Sequence, residues 1–98
     1  MCVNVVIRAS ALKHGLSEDE IREAFFSPLV GAVIRKRDIA TDPQRFAMIG
    51  TFTQTDGSTR EVEIVYVLDW NGTPIIFHAN YLTKGFIQEI EHAKRRKA

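Results

Sequence analysis

The sequence supports one kind of chemical site, a metal-free site for acid and base catalysis built from imidazole and cationic side chains. Attack of a ribose 2′-hydroxyl on its neighbouring phosphate is a reaction that needs these groups. It requires a base for the hydroxyl, an acid for the leaving oxygen, and cations that stabilise charge on the phosphorus centre. The candidate catalytic residues are His14, Arg45, His78 and Lys84.

Three of the candidates, His14, His78 and Lys84, also have ordinary structural roles that need no catalysis. His14 can simply end the turn Lys13-His14-Gly15. His78 can be a buried imidazole hydrogen-bonded to the backbone, and Lys84 can be a solvated residue in the first turn of a helix. Tyr66 is less suited to catalysis because its predicted side faces the core. Both interpretations stay open from the residues alone.

Sequence motifs for cofactors or metals are missing. The chain contains no P-loop, no dinucleotide fingerprint, no Cys-x-x-Cys pair and no His-x-x-x-His spacing. Its histidines, His14, His78 and His92, are dispersed. Cys2 is the single cysteine, which excludes an internal disulfide and fits a reducing compartment. We therefore expect no cofactor and no metal ion.

Length and composition predict an ordinary globular chain. With 98 residues, the chain is long enough for one core and too short for two, so we expect a single domain over residues 1–98. Hydrophobic residues make up 45% and charged residues 26%. Because no apolar run approaches the roughly 20 residues of a membrane span and no signal peptide is apparent, we expect a cytoplasmic protein without a membrane partner.

Basic residues are concentrated in two short runs. Residues 94–98 form a basic tail, which is typical of a solvated helix end or of a nucleic-acid contact. Residues 32–37 predict an edge strand whose cations discourage aggregation. The candidate nucleic-acid contacts are Lys13, Arg35, Lys36, Arg37, Lys94 and Arg95.

Two turn signals predict the sheet. Asn71-Gly72 separates two β-rich runs and predicts a hairpin with a two-residue turn, in which Val65 lies opposite His78 and Leu68 opposite Ile75. Asp56-Gly57 predicts a second hairpin after a strand over residues 45–53, with Thr51 opposite Val62 and Ile49 opposite Ile64.

The sequence predicts one helix before the two hairpins and one helix after them. Ser17, with Glu20 three residues later, has the spacing of a capping box and predicts a helix over residues 17–26. Thr83 is suited to cap a C-terminal helix, and residues 3–9 predict a short strand at a sheet edge. The predicted fold class is α+β, with an antiparallel sheet of three to five strands and two helices packed mainly on one face.

Several short motifs in this order resemble the BrnT-like toxin family, which belongs to the wider RelE/ParE-type toxins. The resemblance spans about residues 11–92, and Lys-His-Gly is its most specific part. The matching motifs are Lys13-His14-Gly15, Arg45, Ile49-Gly50, Glu63-Ile64-Val65-Tyr66, Ile76-Phe77-His78-Ala79 and the final helix.

This resemblance implies a RelE-like fold and a bacterial type II toxin, a small metal-independent endoribonuclease that arrests translation. It also implies a cognate DNA-binding antitoxin as partner and RNA as substrate. His14 or His78 would then be the acid or base, and Lys84 and Arg45 would stabilise phosphate charge. Asn80 stands where the family commonly has a basic residue, and the His78-Ala79 pair resembles a variant branch of the family.

Two other functions are compatible with the residues. The first is a non-catalytic module of the same fold that binds an antitoxin-like partner, or a second copy of itself, through residues 32–37 or an open sheet face. The second is direct nucleic-acid binding through residues 35–37 and the basic tail.

Overall fold

The structure is a computed structural model and describes residues 4–34 and 45–95. One five-stranded sheet, with strand order β1-β5-β4-β3-β2, organises these residues. Its neighbours are antiparallel except β1, which runs parallel to β5. The predicted α+β class, with a sheet and two helices, is confirmed. The elements in chain order are β1 (Val6–Ile7), a 3₁₀ helix (Ala9–Leu12), α1 (Glu18–Phe25), β2 (Pro28–Ile34), β3 (Phe46–Thr53), β4 (Thr59–Leu68), β5 (Pro74–Tyr81) and α2 (Lys84–Arg95).

The two helices lie on opposite faces of the sheet, whereas the sequence predicted them mainly on one. On the α1 face, Ile21 and Ala24 of α1 pack with Met48, Ile64 and neighbouring residues of the sheet. On the α2 face, a separate buried cluster joins the helix to three strands. Its members are Val33, Ala47, Ile49, Val65, Phe86, Ile90 and Ala93. Alternate residues of the strands point to opposite faces, so two helical covers make both faces into cores.

Both hairpins have loops of three residues rather than the predicted two. In the loop between β4 and β5, the Asp69 N–H donates to the Thr73 carbonyl at 3.0 Å and the Gly72 N–H donates to the Asp69 carbonyl at 2.9 Å. Gly72 has φ of +82° and Gly57, in the equivalent loop between β3 and β4, has φ of +90°. This is a tight turn followed by a left-handed glycine, a common alternative to the two-residue hairpin.

The longer loop shifts the whole pairing of β3 with β4 by one residue. Val62 lies opposite Gly50 instead of the predicted Thr51, and Ile64 lies opposite Met48 instead of Ile49. Because side chains alternate along a strand, a slip of one residue exchanges the faces. Ile49 therefore packs on the α2 face and not with Ile64, which corrects the predicted face for β3.

The predicted pairing of β4 with β5 is wrong near the turn and correct further along the strands. Leu68 lies opposite Pro74 instead of Ile75, but Val65 lies opposite His78 as predicted. A β-bulge between these pairs, with Phe77 as the extra residue of β5, compensates the extra loop residue. This bulge decides where His78 points.

α1 begins and ends close to where the sequence predicts. The Ser17 hydroxyl accepts from the Glu20 N–H at 3.1 Å, and the Glu20 carboxylate accepts from the Ser17 N–H at 2.9 Å, which confirms the capping box. The end of α1 lies directly on β3, since a Cβ on Gly50 would stand 1.9 Å from the Ala24 carbonyl oxygen. The absence of a side chain at Gly50 lets helix and strand approach this closely.

The two edge strands of the sheet agree only in part with the strands predicted from the sequence. β1 pairs at the sheet edge, but it covers only two of the residues predicted as a strand. β2 forms the opposite edge and begins earlier than the strand predicted over residues 32–37, of which residues 35–37 lie outside the described ranges. In the described parts of the chain, no helix is long and apolar enough to cross a membrane.

Candidate functional site

The bulge in β5 brings His78 to an open cleft on the α2 face. At the bulge His78 lies opposite Val65, and Phe77, the extra residue, packs against the cluster beneath α2. A bulge can re-aim a side chain in this way. The cleft, called the His78 cleft here, has a volume of about 470 Å³. Its walls are Ser10, Lys13, Glu63, Val65, Phe77, His78 and Phe86.

A buried carboxylate holds His78 from below. The Glu63 Oε2 atom lies 2.8 Å from His78 Nε2, and Glu63 Oε1 accepts from both the N–H (2.9 Å) and the hydroxyl (2.7 Å) of Thr83. The side chain of Glu63 is 7% exposed and that of His78 is 30% exposed. The imidazole is therefore anchored on one side and accessible from the cleft on the other.

The pKa of the Glu63 carboxyl is lowered despite its burial. Burial is the largest single influence and raises the pKa, but the hydrogen bonds from His78 and Thr83 together outweigh it and stabilise the charged form. Glu63 is therefore a carboxylate near neutral pH. It can accept hydrogen bonds but cannot donate them.

A second imidazole meets His78 from the N-terminal part of the chain. The rings of His14 and His78 have centroids 5.6 Å apart and lie edge to face, with 69° between their planes. His14 sits in the turn after the 3₁₀ helix, and the next residue, Gly15, has φ of +92°. The Ser10 hydroxyl donates to the Phe77 carbonyl at 2.6 Å and connects the 3₁₀ helix before this turn to the bulge.

The other predicted catalytic residues are less directly placed. Arg45 precedes β3, and its guanidinium carbon lies 5.5 Å from the centre of the Phe77 ring, a wall of the cleft. Lys84 is exposed as the first residue of α2 and is not among the wall residues. Lys13, predicted as a nucleic-acid contact, does line the cleft. Tyr66 faces the core, as predicted; it packs between aromatic rings, and burial raises its pKa.

Of the predicted nucleic-acid contacts that the structure describes, Lys13 is the one that lines this cleft. Arg35, Lys36 and Arg37 lie outside the described residues. Lys94 is exposed near the end of α2, and Arg95 is the last residue of that helix. Their assignment as nucleic-acid contacts stays a prediction.

Glu63 is the functional residue that the sequence analysis missed, although the sequence carried a usable signal. The correct pairing of Val65 with His78 puts Glu63 on the same face, at a diagonal position across the two strands. A long side chain can reach a diagonal neighbour about 7–8 Å away. A single acidic residue between the buried Val62 and Ile64 is also unusual in a central strand.

The described residues contain no group of three or more His, Cys, Asp or Glu side chains placed to hold a metal ion. The cleft wall contains one imidazole, that of His78, which is anchored by a carboxylate beside a lysine and a hydroxyl. The His14 ring is not part of that wall but contacts the His78 ring. This set can move protons between two positions on a bound molecule.

Comparisons with models of protein families, with curated proteins and with solved structures found no match to this chain. The resemblance to BrnT-like toxins therefore stays a prediction, and any function for the cleft has to be argued from its residues.

Proposed function

We propose that this protein is the toxin of a bacterial type II toxin–antitoxin pair and acts in the cytoplasm as a metal-independent endoribonuclease. The observation that supports this most is the meeting of His14 and His78, whose ring centroids are 5.6 Å apart although 64 positions separate them in the chain (78 − 14 = 64). His14 belongs to the Lys-His-Gly motif and His78 to the strand motif that resemble the toxin family.

In the proposed reaction, His78 is the base and His14 the acid. His78 takes the proton of the ribose 2′-hydroxyl, the 2′-oxygen bonds to phosphorus, and the bond from phosphorus to the 5′-oxygen breaks. His14 gives its proton to that 5′-oxygen. The products are a 2′,3′-cyclic phosphate and a 5′-hydroxyl end. The base role falls to His78 because the Glu63 carboxylate, 2.8 Å away, stabilises the positive charge that the ring gains.

Lys13 is the cation best placed to stabilise the developing phosphate charge, because it lines the cleft. Asn80, at the position where the toxin family commonly has a basic residue, uses its side-chain oxygen to accept the Tyr81 N–H at 2.8 Å. Lys13 therefore takes over a role that the resemblance assigns to the end of β5 and the start of α2. Arg45 and Lys84 remain candidates for more distant contacts along the RNA backbone.

The test is cleavage of an RNA oligonucleotide in the presence of a chelator. We expect His78→Gln and His14→Gln each to slow cleavage by about 100-fold or more, the typical effect of losing an acid or base. His92→Gln is the matched control, since His92 is exposed on α2, and should leave the rate unchanged. The double variant His14→Gln/His78→Gln, purified in the same way, measures contaminating nuclease. Cleavage by that variant at the wild-type rate would contradict the proposal.

The proposed partner is a DNA-binding antitoxin whose gene neighbours that of the toxin. Inducible expression of the wild-type chain should stop growth and protein synthesis, and co-expression of the neighbouring gene should restore both. Expression of His78→Gln should be harmless. Arrest by His78→Gln as complete as that by the wild type would show that growth arrest does not depend on this site.

A non-catalytic interaction module is the second candidate, and the edge of the sheet favours it. β2 is an outer strand; Phe26, just after α1, and Leu29, near the start of β2, are 48% and 57% exposed. Exposed apolar residues at a sheet edge are typical of contact surfaces. Under this function, expression would leave growth unaffected, and Leu29→Glu would weaken association with a partner chain or a second copy in a sedimentation measurement.

A further inference from the structure

Among the residues that the structure describes, Glu63 is the one charged residue that is buried. It lies on β4, a central strand, where a charged side chain needs compensating contacts because burial removes its water. Both of its carboxylate oxygens have partners, Oε2 at His78 and Oε1 at Thr83. The carboxylate thus connects the imidazole on β5 with the residue that immediately precedes α2.

The hydrogen bond between Glu63 and His78 fixes the position of one proton. A carboxylate has only acceptor atoms, so the hydrogen in the 2.8 Å contact must be on Nε2 of the imidazole. In the neutral ring the other nitrogen, Nδ1, then carries the lone pair. The two Thr83 donors hold the opposite oxygen and keep the carboxylate from turning away.

We propose that Glu63 is a positioning residue that selects the Nε2–H tautomer of His78 and leaves Nδ1 as the atom that accepts the substrate proton. This inference rests on the proposed ribonuclease function for its catalytic consequence, but not for the tautomer. Glu63 acts on the reaction through His78 and does not itself touch the reacting atoms. Among the residues that the structure describes, further titratable groups beside His78 are His14, at 5.6 Å between ring centres, and Lys13 in the cleft wall.

A purely structural role for Glu63 has a different signature. If the carboxylate served only to hold the start of α2 through Thr83, its loss would lower stability and leave the His78 tautomer and the chemical step unchanged. Orientation of a catalytic imidazole by a carboxylate instead affects the chemical step more than substrate binding. Two measurements therefore distinguish a structural role from a positioning role. One is the tautomer of His78, and the other is whether loss of Glu63 changes kcat or KM.

The experiment measures the His78 tautomer by ¹⁵N nuclear magnetic resonance above the pH at which the ring becomes neutral, in the wild type and in Glu63→Gln. Glu61→Gln is the matched control, because Glu61 is exposed on the same strand. We expect the Nε2–H form in the wild type and in Glu61→Gln, and a mixture of both forms in Glu63→Gln, whose amide can donate as well as accept. The tautomer of the wild type is measured without any variant, so this part of the experiment tests the proposal even if Glu63→Gln does not fold.

RNA cleavage gives the second readout. We expect Glu63→Gln to lower kcat by roughly tenfold or more with KM nearly unchanged, and Glu61→Gln to match the wild type. An Nδ1–H tautomer in the wild type, or an unchanged kcat in folded Glu63→Gln, would overturn the positioning role. A wild type that shows the expected tautomer but cleaves no RNA would overturn the proposed function and leave the tautomer assignment standing.

Discussion

Thr83 connects the buried carboxylate to α2, and its replacement by valine measures that connection. The Thr83 hydroxyl donates to Glu63 Oε1 at 2.7 Å and accepts from the Phe86 N–H at 3.4 Å. A hydrogen bond to a charged group contributes about 1.5–3 kcal/mol. The contact with Phe86 is long, so the helix cap contributes near the lower end of its usual range, about 0.5 kcal/mol. Water can replace part of the lost bond because Thr83 is exposed.

We therefore expect Thr83→Val to lower the free energy of unfolding by about 2 kcal/mol, since valine keeps the shape and loses the hydroxyl. For a chain of this length, that corresponds to a decrease in Tm of about 8–16 °C. Thr83→Ser keeps both contacts and should stay within about 0.5 kcal/mol of the wild type. Urea unfolding followed by circular dichroism measures both. Equal stabilities of Thr83→Val and Thr83→Ser would refute the reasoning.

A double-mutant cycle assigns this loss to the contact with the carboxylate. In a Glu63→Gln background the charged acceptor is gone, so Thr83→Val should cost less than it does in the wild type. We expect a coupling free energy of about 1 kcal/mol or more between the two positions, as for other residues in direct contact. A coupling near zero would mean that Thr83 stabilises the fold without Glu63.

Two further predictions test the fold and its pH dependence. Gly50→Ala should destabilise by about 3 kcal/mol, because its Cβ would stand 1.9 Å from the Ala24 oxygen, while Gly85→Ala, which has open space in α2, should stabilise by about 0.5–1 kcal/mol in the same urea assay. The lowered pKa of Glu63 means that its stabilisation is complete above the usual carboxyl value of 4.5 and is lost as pH falls through the lower folded value. The stability difference between wild type and Glu63→Gln should therefore shrink below pH 4.5; a difference that is constant with pH would contradict this assignment.

Local signals in the sequence were sufficient to predict most of the elements, but not the register of the strands. The capping box of Ser17 and the strand ending near Thr53 follow from short patterns, and both are present. The dipeptides Asn71-Gly72 and Asp56-Gly57 marked the hairpins correctly, yet a left-handed glycine serves both a two-residue and a three-residue loop. Loop length decides the register, and it depends on backbone hydrogen bonds that the dipeptide does not specify.

The residues of the site were also predictable only in part, because residue types are visible in the sequence and strand register is not. His14 and His78 were chosen by residue type, and the fold does bring them together. The predicted pairing of Val65 with His78 is correct only because the bulge at Phe77, for which the sequence contains no local signal, compensates the longer loop. Glu63 was missed because an acidic residue in a strand is usually solvated, whereas here it is buried and bonded to Thr83 from outside the sheet.

The most direct test of the proposed reaction identifies the chemical groups at the ends of the cleaved RNA. It also asks whether cleavage requires the 2′-hydroxyl before the cleaved bond. An oligoribonucleotide is incubated with the wild-type protein in a chelator, beside a copy with a single 2′-deoxy residue before the cleaved bond, and the products are analysed by mass spectrometry. The proposed reaction predicts 2′,3′-cyclic phosphate and 5′-hydroxyl ends, no cleavage at the deoxy position, and loss of both products in His78→Gln. Cleavage that persists at the deoxy position, or products with 5′-phosphate ends, would contradict it.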